Sequence, residues 1–260
     1  MANQGLVAYV NNEVMKKAIE AKLGKNAPQF TSALVNIYNG NKLLQQCDSR
    51  SIVGAAMLAA TMGLSITPSL GQAYVVPFQG RATFQIGSKG LIQLAHRTGK
   101  YVRLHAGKVY AGELKGFNSL NGEPIAGGKI SDEVVGYVAY MRLINGFEKT
   151  LYMTVAELEA HAEKYSQSYA YDKRSGKKSS PWSTHFDAMA RKTVLKRLLT
   201  QWGELSTELA EVIQADQSVV DKNTFEYVDN GGDVQSREEI YVPEEAEPLA
   251  LTEETNHEDD

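Results

Sequence analysis

Two stretches of the chain alternate apolar and polar residues and are folded back by a turn dipeptide. In the first, QAYVVPF and RATFQIG flank Gln79-Gly80; in the second, EVVGYVAYMRL and EKTLYM flank Asn145-Gly146. Period-two alternation is typical of strands with one buried face, and a dipeptide ending in Gly suits a tight hairpin turn. The sequence therefore predicts two antiparallel hairpins.

Segments with helical spacing of apolar residues surround these hairpins. Helices are predicted around residues 12–23, 28–38, 51–62, 88–100, 155–166 and 186–202, with 204–215 helical as well. Residues 101–110 read as a further strand, 112–128 as a Gly-rich loop with one short strand, and 166–181 as a polar loop. The predicted fold class is α+β, an antiparallel sheet of hairpins and a meander backed by helices.

Charge is distributed unevenly along the chain. Residues 1–202 carry 25 Lys+Arg against 13 Asp+Glu, a net charge of +12, whereas residues 203–260 carry 2 against 18, a net charge of −16. We predict an N-terminal helical segment (1–65), an α+β core (66–217) and an acidic flexible tail (218–260). The asymmetry is typical of a nucleic-acid binder with a separate acidic arm, and it also fits a solvated surface with a solubilising tail.

Composition narrows the class of protein. The single cysteine, Cys47, excludes a disulfide within the chain and a multi-cysteine metal site. No apolar run approaches the roughly 20 residues needed to cross a bilayer. We therefore expect a cytoplasmic protein that does not enter a membrane.

The segment SPWSTHFDAMARKTVLKRLLTQW, residues 180–202, separates into two faces when wound as a helix. The predicted core face holds Val194, Leu198, Trp202, Leu195, Ala188 and Leu199. The opposite face holds Lys192, Lys196, Thr193, Thr200 and Arg197 with Met189 and Phe186. Arg191 falls in the apolar sector, so it must be paired, for instance with Asp187, or reach a phosphate. The basic face is predicted to meet an anion, unless it is an ordinary solvated face.

A second basic stripe is predicted on the helix SKGLIQLAHRTGK. Gly87 and Gly90 flank the start of this helix, where free backbone amides and the positive end of the helix dipole favour a phosphate. Arg103 and His105 share a face of the next strand, and Lys108 is close to them in sequence. The loop YSQSYAYDKRSGKKSSPW interleaves tyrosines with basic residues, which suits either a single-strand binder or a flexible loop. The stripe consists of Lys89, Gln93, His96, Arg97 and Lys100.

The alternative that the chain is an enzyme depends on His185 and Asp187, which a metal-dependent nuclease would use. The chain contains no phosphate-binding P-loop and no Gly-x-Ser-x-Gly, and its five histidines show no metal-ligand spacing. We expect no catalytic residue, no metal site and no cofactor, with Mg²⁺ only screening charge. A third interpretation is a structural oligomer whose basic face meets acidic proteins.

Three segments resemble the signatures of the RecT family of phage single-strand annealing proteins. They are AAMLAATMGLSITPSLGQAYVVPF, FQIGSKGLIQLAHRTGKY and WSTHFDAMARKTVLKRL, in that order. The resemblance implies ATP-independent annealing of single-stranded DNA in homologous recombination. It also implies a basic groove that binds single strands and annealed duplex, assembly into rings or filaments, and an exonuclease partner. The tail is suggested to meet that exonuclease or the host single-strand-binding protein.

The resemblance implies that basic positions of the family carry over to two of the quoted segments. It covers Lys89, Arg97 and Lys100 in the second, and Arg191, Lys192, Lys196 and Arg197 in the third. The stripe, the next strand and the aromatic at the start of the long helix complete the predicted interface. The predicted nucleic-acid-binding residues are therefore Lys89, Gln93, Arg97, Lys100, Arg103, Lys108, Phe186, Arg191, Lys192, Lys196 and Arg197.

Overall fold

The computed structural model describes residues 5–221 and 224–227, and the side chains of residues 5–219. In the described part the helices are α1 (Leu6–Asn11), α2 (Glu13–Leu23), α3 (Ala27–Asn39), α4 (Ser49–Thr61), α5 (Ser88–Arg97), α6 (Val155–Tyr165), α7 (Gln167–Ser175), α8 (Pro181–Thr184), α9 (Phe186–Trp202) and α10 (Thr207–Ala215). The strands are β1 (Ala73–Phe78), β2 (Arg81–Ile86), β3 (Tyr101–Tyr110), β4 (Leu114–Phe117), β5 (Pro124–Ala126), β6 (Val134–Leu143), β7 (Glu148–Thr154), β8 (Ser218–Asp221) and β9 (Thr224–Tyr227).

The strands form antiparallel sheets, which confirms the predicted α+β class. One sheet has the order β1-β2-β8-β9, a second has the order β3-β6-β7, and β4 pairs with β5. Both predicted hairpins are present. The first turns at Gln79 and Gly80, whose φ angles of +46° and +78° match a tight hairpin turn. The second turns at Asn145-Gly146, where the Asn145 Oδ1 accepts the N–H of Phe147 (2.9 Å).

Helices cover one face of each larger sheet. α4 packs on β1, β2 and β8, and its mostly small and apolar sequence lets it lie buried there. α9 packs on β3, β6 and β7, opposite the buried side chains of Tyr137 and Met141. A single hydrophobic cluster contains residues from Leu6 in α1 to Ala215 in α10. The boundaries at residues 65 and 217 stay a prediction.

Two predicted loops are wrong. The Gly-rich stretch 112–128 holds a two-stranded hairpin, β4–β5, rather than one short strand. The predicted polar loop 166–181 contains α7, which begins after the N-cap Ser166 and buries Tyr169. Asp172 then orders the return of the chain, because its carboxylate accepts the N–H groups of Ser179 (2.9 Å) and Ser180 (2.7 Å).

The predicted flexible tail from Ser218 is wrong for its first residues. β8 pairs with β2 at Phe84, and the N–H of Gln217 donates to the Phe84 carbonyl (2.8 Å). Val219 is buried, so apolar burial offsets the cost of ordering this segment. Residues 228–260, the rest of the predicted tail, lie outside the described residues. Within the described ranges, no helix is long and apolar enough to span a membrane.

Candidate nucleic-acid interface

Helix α9 is buried on a wider arc than the sequence predicts. Val194, Leu195, Leu198 and Leu199 are buried, as expected, and so are Ala190 and Thr193. The predicted core positions Ala188 and Trp202 are wrong, since Ala188 is exposed and Trp202 is 47% exposed. The arc is wider because α9 contacts α5 and α10 as well as the β3-β6-β7 sheet.

Two lysines of α9 converge on one buried carboxylate. Asp216, whose side chain is 2% exposed, lies 3.3 Å from the Lys192 ammonium and 2.7 Å from the Lys196 ammonium. The N–H of Ile86 donates to the same carboxylate (3.0 Å). Lys192 is 12% exposed and Lys196 is 29% exposed, so Lys192 lies within the fold and Lys196 reaches its surface.

This cluster carries more positive than negative charge. Burial raises the pKa of Asp216, but Lys192 and Lys196 outweigh burial and hold it below its usual range. Burial lowers the pKa of the Lys192 ammonium more than Asp216 raises it. With the carboxylate ionised, the two ammonium groups together have one negative partner, which leaves the Lys196 end attractive to an anion.

Beside Lys196, the Arg197 guanidinium faces two cavities of about 320 and 480 Å³. In the described part of the chain it has no carboxylate within 4 Å, and it donates to the thioether sulfur of Met153 (3.7 Å). His161, Tyr165 and Arg197 line both cavities, so the two form one groove between α6 and α9. We call this the α6–α9 groove.

The groove combines cations with aromatic rings. The ring of His161 lies 4.7 Å from that of Tyr165 and 6.4 Å from that of Trp182, and Tyr165 is 43% exposed. Burial lowers the pKa of His161, and the nearby Arg197, Lys196 and Lys164 lower it further. The share of this shift that comes from the three cations reflects positive charge around the ring, and a bound phosphate would oppose that share.

His161 and Lys164 were not selected from the sequence, and Tyr165 was named only together with the tyrosines of the segment after α6. Lys164 and Tyr165 follow His161 by three and four positions in α6, and this spacing puts each of them on the same helical face as His161. That spacing was a usable signal. What the sequence does not show is that α9 lies across the groove, because this depends on the tertiary packing of both helices.

The comparisons with known proteins decide the family. A sequence profile of the RecT family matches residues 28–229, most of the chain. The chain belongs to the RecT family. It is 43% identical over 205 residues to YqaK of Bacillus subtilis (strain 168), covering 78% of this chain and 69% of that protein. It is 28% identical over 228 residues to the protein RecT of Escherichia coli (strain K12), covering 83% and 81% of the two chains.

RecT-family membership brings DNA recombination and single-strand annealing as the general function. Of the eleven residues predicted to bind nucleic acid in this RecT-family chain, the structure brings together three in the groove. They are Lys192, Lys196 and Arg197, with Lys192 largely held by Asp216. DNA contacts by all eleven stay predictions.

Arg191 and its neighbours lie elsewhere on α9. The prediction that Arg191 falls in the apolar sector is wrong: it is exposed, and its Nε donates to the Asp187 carbonyl oxygen (3.2 Å). The Asp187 carboxylate pairs with the Lys108 ammonium (2.5 Å). Phe186 packs edge-on against Tyr137 and Trp182, at ring distances of 6.0 and 5.6 Å.

The second basic stripe also makes contacts within the fold. Arg97 donates to the carbonyl oxygens of Met62 (2.5 Å) and Gly63 (2.8 Å) at the end of α4. Lys100 lies 3.8 Å from Glu204. Lys89 is exposed and Gln93 is half-buried.

The backbone determines the state of the Gly87 amide and the faces on which the polar residues of β3 lie. The predicted free amide at Gly87 is wrong, since its N–H donates to the Gln72 carbonyl (2.8 Å). Arg103 and His105 do share one sheet face, opposite Arg142 and Tyr140 of β6. Lys108 faces the other side of that sheet, because residues an odd number apart on a strand point to opposite faces.

The two side chains proposed for a nuclease, His185 and Asp187, are both engaged by neighbouring residues. His185 Nδ1 lies 2.8 Å from the Thr184 hydroxyl. The Asp187 carboxylate accepts the Tyr137 hydroxyl as well as the Lys108 ammonium, and these hydrogen bonds hold the pKa of Asp187 below its usual range. In the described residues there is no group of three His, Cys, Asp or Glu side chains that could hold a metal ion.

Proposed function

We propose that this chain anneals complementary DNA strands without ATP by holding the phosphate backbone in the α6–α9 groove. The observation that carries the proposal is the Arg197 guanidinium, which faces the groove with a thioether as its hydrogen-bond acceptor. A guanidinium is well suited to phosphate, because it donates several hydrogen bonds in a fixed fork. The excess charge of the Lys192–Lys196–Asp216 cluster lies beside it.

Annealing then follows from electrostatics and from base pairing. Two DNA strands repel each other through their phosphates, and Lys164, Lys196 and Arg197 would neutralise part of that charge. The exposed ring of Tyr165 offers a base a stacking surface that is indifferent to its identity. New base pairs supply the free energy, so the proposed mechanism needs no catalytic residue and no nucleotide.

Annealed DNA that a single groove would release stays bound when the grooves of several subunits contact it together. We propose that the chain forms a homo-oligomeric ring or filament, in which successive grooves follow the same DNA. Both a single strand and the newly annealed duplex then bind, since the contacts are with backbone phosphates rather than base edges. Ring size and filament handedness are separate properties of the assembly.

The role of Arg197 is tested by a matched pair of α9 variants. Arg197→Gln is expected to weaken binding of a labelled oligonucleotide and to reduce the slope of log K against log salt by about 1, because one phosphate contact is lost. Arg191→Gln removes the same charge from the same helix outside the groove. Fluorescence anisotropy across a salt series measures both slopes.

Two results would count against this groove. If Arg191→Gln and Arg197→Gln lowered the slope equally, the whole basic helix rather than the groove would be the interface. If neither changed it, α9 would not contact DNA. Circular dichroism of both variants checks that each remains folded.

The proposed absence of catalysis is tested separately. A labelled oligonucleotide incubated with the protein and Mg²⁺ or Mn²⁺ is expected to remain intact, with the cations acting only through charge screening. Turnover that His185→Ala or Asp187→Asn abolishes would instead support a metal-dependent nuclease. A preference for DNA over an unrelated polyanion separates annealing from the third interpretation, a structural oligomer that meets acidic proteins.

We also propose that residues 228–260 meet other proteins of the recombination reaction, in the cytoplasm. This segment contains 12 Asp+Glu and one Arg in its sequence, so it suits a basic partner surface. The candidate partners are an exonuclease and the host single-strand-binding protein. Co-purification of each with the full chain and with a chain ending at Asn230 tests this, and equal recovery with both chains would count against the segment.

A further inference from the structure

The sheet β1-β2-β8-β9 ends in an unpaired strand on each side. β1 pairs with β2 on its inner side, β9 pairs with β8, and no other described strand joins either edge. An edge strand presents peptide groups that another chain can pair with, and proteins usually cover or blunt such edges. The β1 edge is open to a large groove instead.

The register shows which peptide groups of β1 point outward. The Ala73 N–H donates away from β2 to the Ser65 carbonyl (3.2 Å), while the Gln72 carbonyl accepts the Gly87 N–H on the β2 side. Alternate residues of a strand direct their peptide groups to the same side. The peptide groups of Val75 and Pro77 therefore also point away from β2. Pro77 has no N–H, and proline in strands is confined to such edge positions. Val75 therefore directs its N–H outward, where no described residue accepts it.

A groove of about 700 Å³ lies along this edge, with α3 as its other wall. Among the described residues, no charged side chain lines it. Amide, hydroxyl and apolar side chains line it together. The lining residues include Ser32, Ala33, Asn36, Ile37, Thr67 and Val75.

We infer that the occupant of this groove is β9 of a second copy of the chain. The three antiparallel pairings make β9 run antiparallel to β1, so a second copy in the same orientation continues the alternation of the sheet. β9 has four residues, about 13 Å of extended chain, which matches the outward-facing stretch from Ala73 to Pro77. Thr, Phe and Tyr in TFEY are good strand formers.

This pairing joins two different edges, so it does not stop at a dimer. Each copy accepts a strand at β1 and offers one at β9, which generates a ring or a helical filament according to the rotation between copies. The inference deepens the oligomeric part of the proposed function. It is independent of the α6–α9 groove, whose described lining contains no residue of β1.

The test removes one hydrogen-bond donor from the full chain. Val75→Pro deletes the outward N–H without touching a bond to β2, and Val75→Ala is the control that keeps the N–H and loses packing. Mass photometry with and without two complementary oligonucleotides is expected to show assembly of the wild type and Val75→Ala. Val75→Pro is expected to assemble at least about tenfold more weakly, since the incoming strand loses its partner.

A second variant guards against a folding defect in Val75→Pro. Asn36→Trp fills the groove from the exposed face of α3 and leaves β1 intact, so it is also expected to remain monomeric. Both variants keep β9. Added in sub-stoichiometric amounts to the wild type, each is expected to cap and shorten the assemblies, which only a head-to-tail interface allows.

Three results would overturn the inference. They are full assembly of both variants, a wild type that stays monomeric in both conditions, and monomeric variants that do not shorten wild-type assemblies. The last would assign the groove to another occupant, such as residues 228–260 or a partner peptide. Short-oligonucleotide affinity per subunit is expected to stay within about twofold in Val75→Pro, because distant sites act independently. Failure of assembly is thereby distinguished from failure of the DNA site.

Discussion

Replacing Asp216 by Asn is expected to lower the free energy of unfolding by about 3–5 kcal/mol, the usual cost of breaking a buried ion pair by removing one partner. The shape of the side chain is kept, but the Lys192 and Lys196 ammonium groups lose their negative partner. The Ile86 N–H keeps an acceptor in the amide oxygen. The loss is therefore electrostatic, and urea denaturation measures it.

A surface ion pair provides the control. Asp132 lies 2.6 Å from Lys129, and its side chain is 93% exposed. Asp132→Asn is expected to change the free energy of unfolding by less than about 1 kcal/mol, because solvent screens such pairs. An equal loss in both variants would show that burial does not decide the energy of the Asp216 cluster.

The pH dependence of the same variant has a defined sign. The depressed pKa of Asp216 contributes stability in the wild type that is present above the ordinary carboxyl pKa and is lost as pH falls through the folded value. In Asp216→Asn, the unpaired Lys192 ammonium is protonated more readily in the unfolded chain. The variant should therefore regain stability as pH rises toward the ordinary lysine pKa. A double variant with Lys192→Met should also recover stability, since it removes the buried charge.

Replacing Gly90 by Ala is expected to lower the free energy of unfolding by about 3 kcal/mol or more, at or above the upper end of the usual cost of overpacking. In an ordinary helix this change stabilises by about 1 kcal/mol. Here a Cβ at position 90 would lie 2.2 Å from the Gln72 carbonyl oxygen, a backbone atom that cannot turn aside. Thermal unfolding measures the sign directly.

Gly128→Ala is the matched control, since a Cβ there meets no atom within 4 Å. Its expected change is within about 0.5 kcal/mol. Stabilisation by Gly90→Ala would show that the turn at residues 71–72 can withdraw from α5. The GSKG stretch would then again be available for the phosphate role that its sequence predicts.

The elements predicted well from the sequence are those whose signal is local. The turn dipeptides at 79–80 and 145–146 determine both hairpins, and α6 lies within the helix predicted over 155–166. α7 was missed because its order depends on Asp172 accepting hydrogen bonds from residues seven to eleven positions later. Burial raises the pKa of Asp172, but the Ser180 N–H and the Ser183 and Ser179 hydroxyls hold it well below its usual range.

The candidate site was predicted only in part, for a related reason. Lys192, Lys196 and Arg197 were selected from their place on one helix, and Lys196 and Arg197 do face the groove. Asp216, which decides how much of that charge is free, lies 20 residues or more along the chain, between the predicted helix 204–215 and the predicted tail from residue 218. His161 and Lys164 come from another helix again. Long-range pairings of this kind leave no periodic trace in a single sequence.

Photo-crosslinking can show directly whether DNA lies in the α6–α9 groove. The photoreactive residue p-benzoylphenylalanine would replace Tyr165, which is in the groove, or Tyr171, which is 49% exposed and outside it. Irradiation with a labelled oligonucleotide, alone and with its complement, is expected to link DNA at position 165 and not at position 171. Crosslinking at position 171 without crosslinking at position 165 would mean that DNA binds outside the α6–α9 groove.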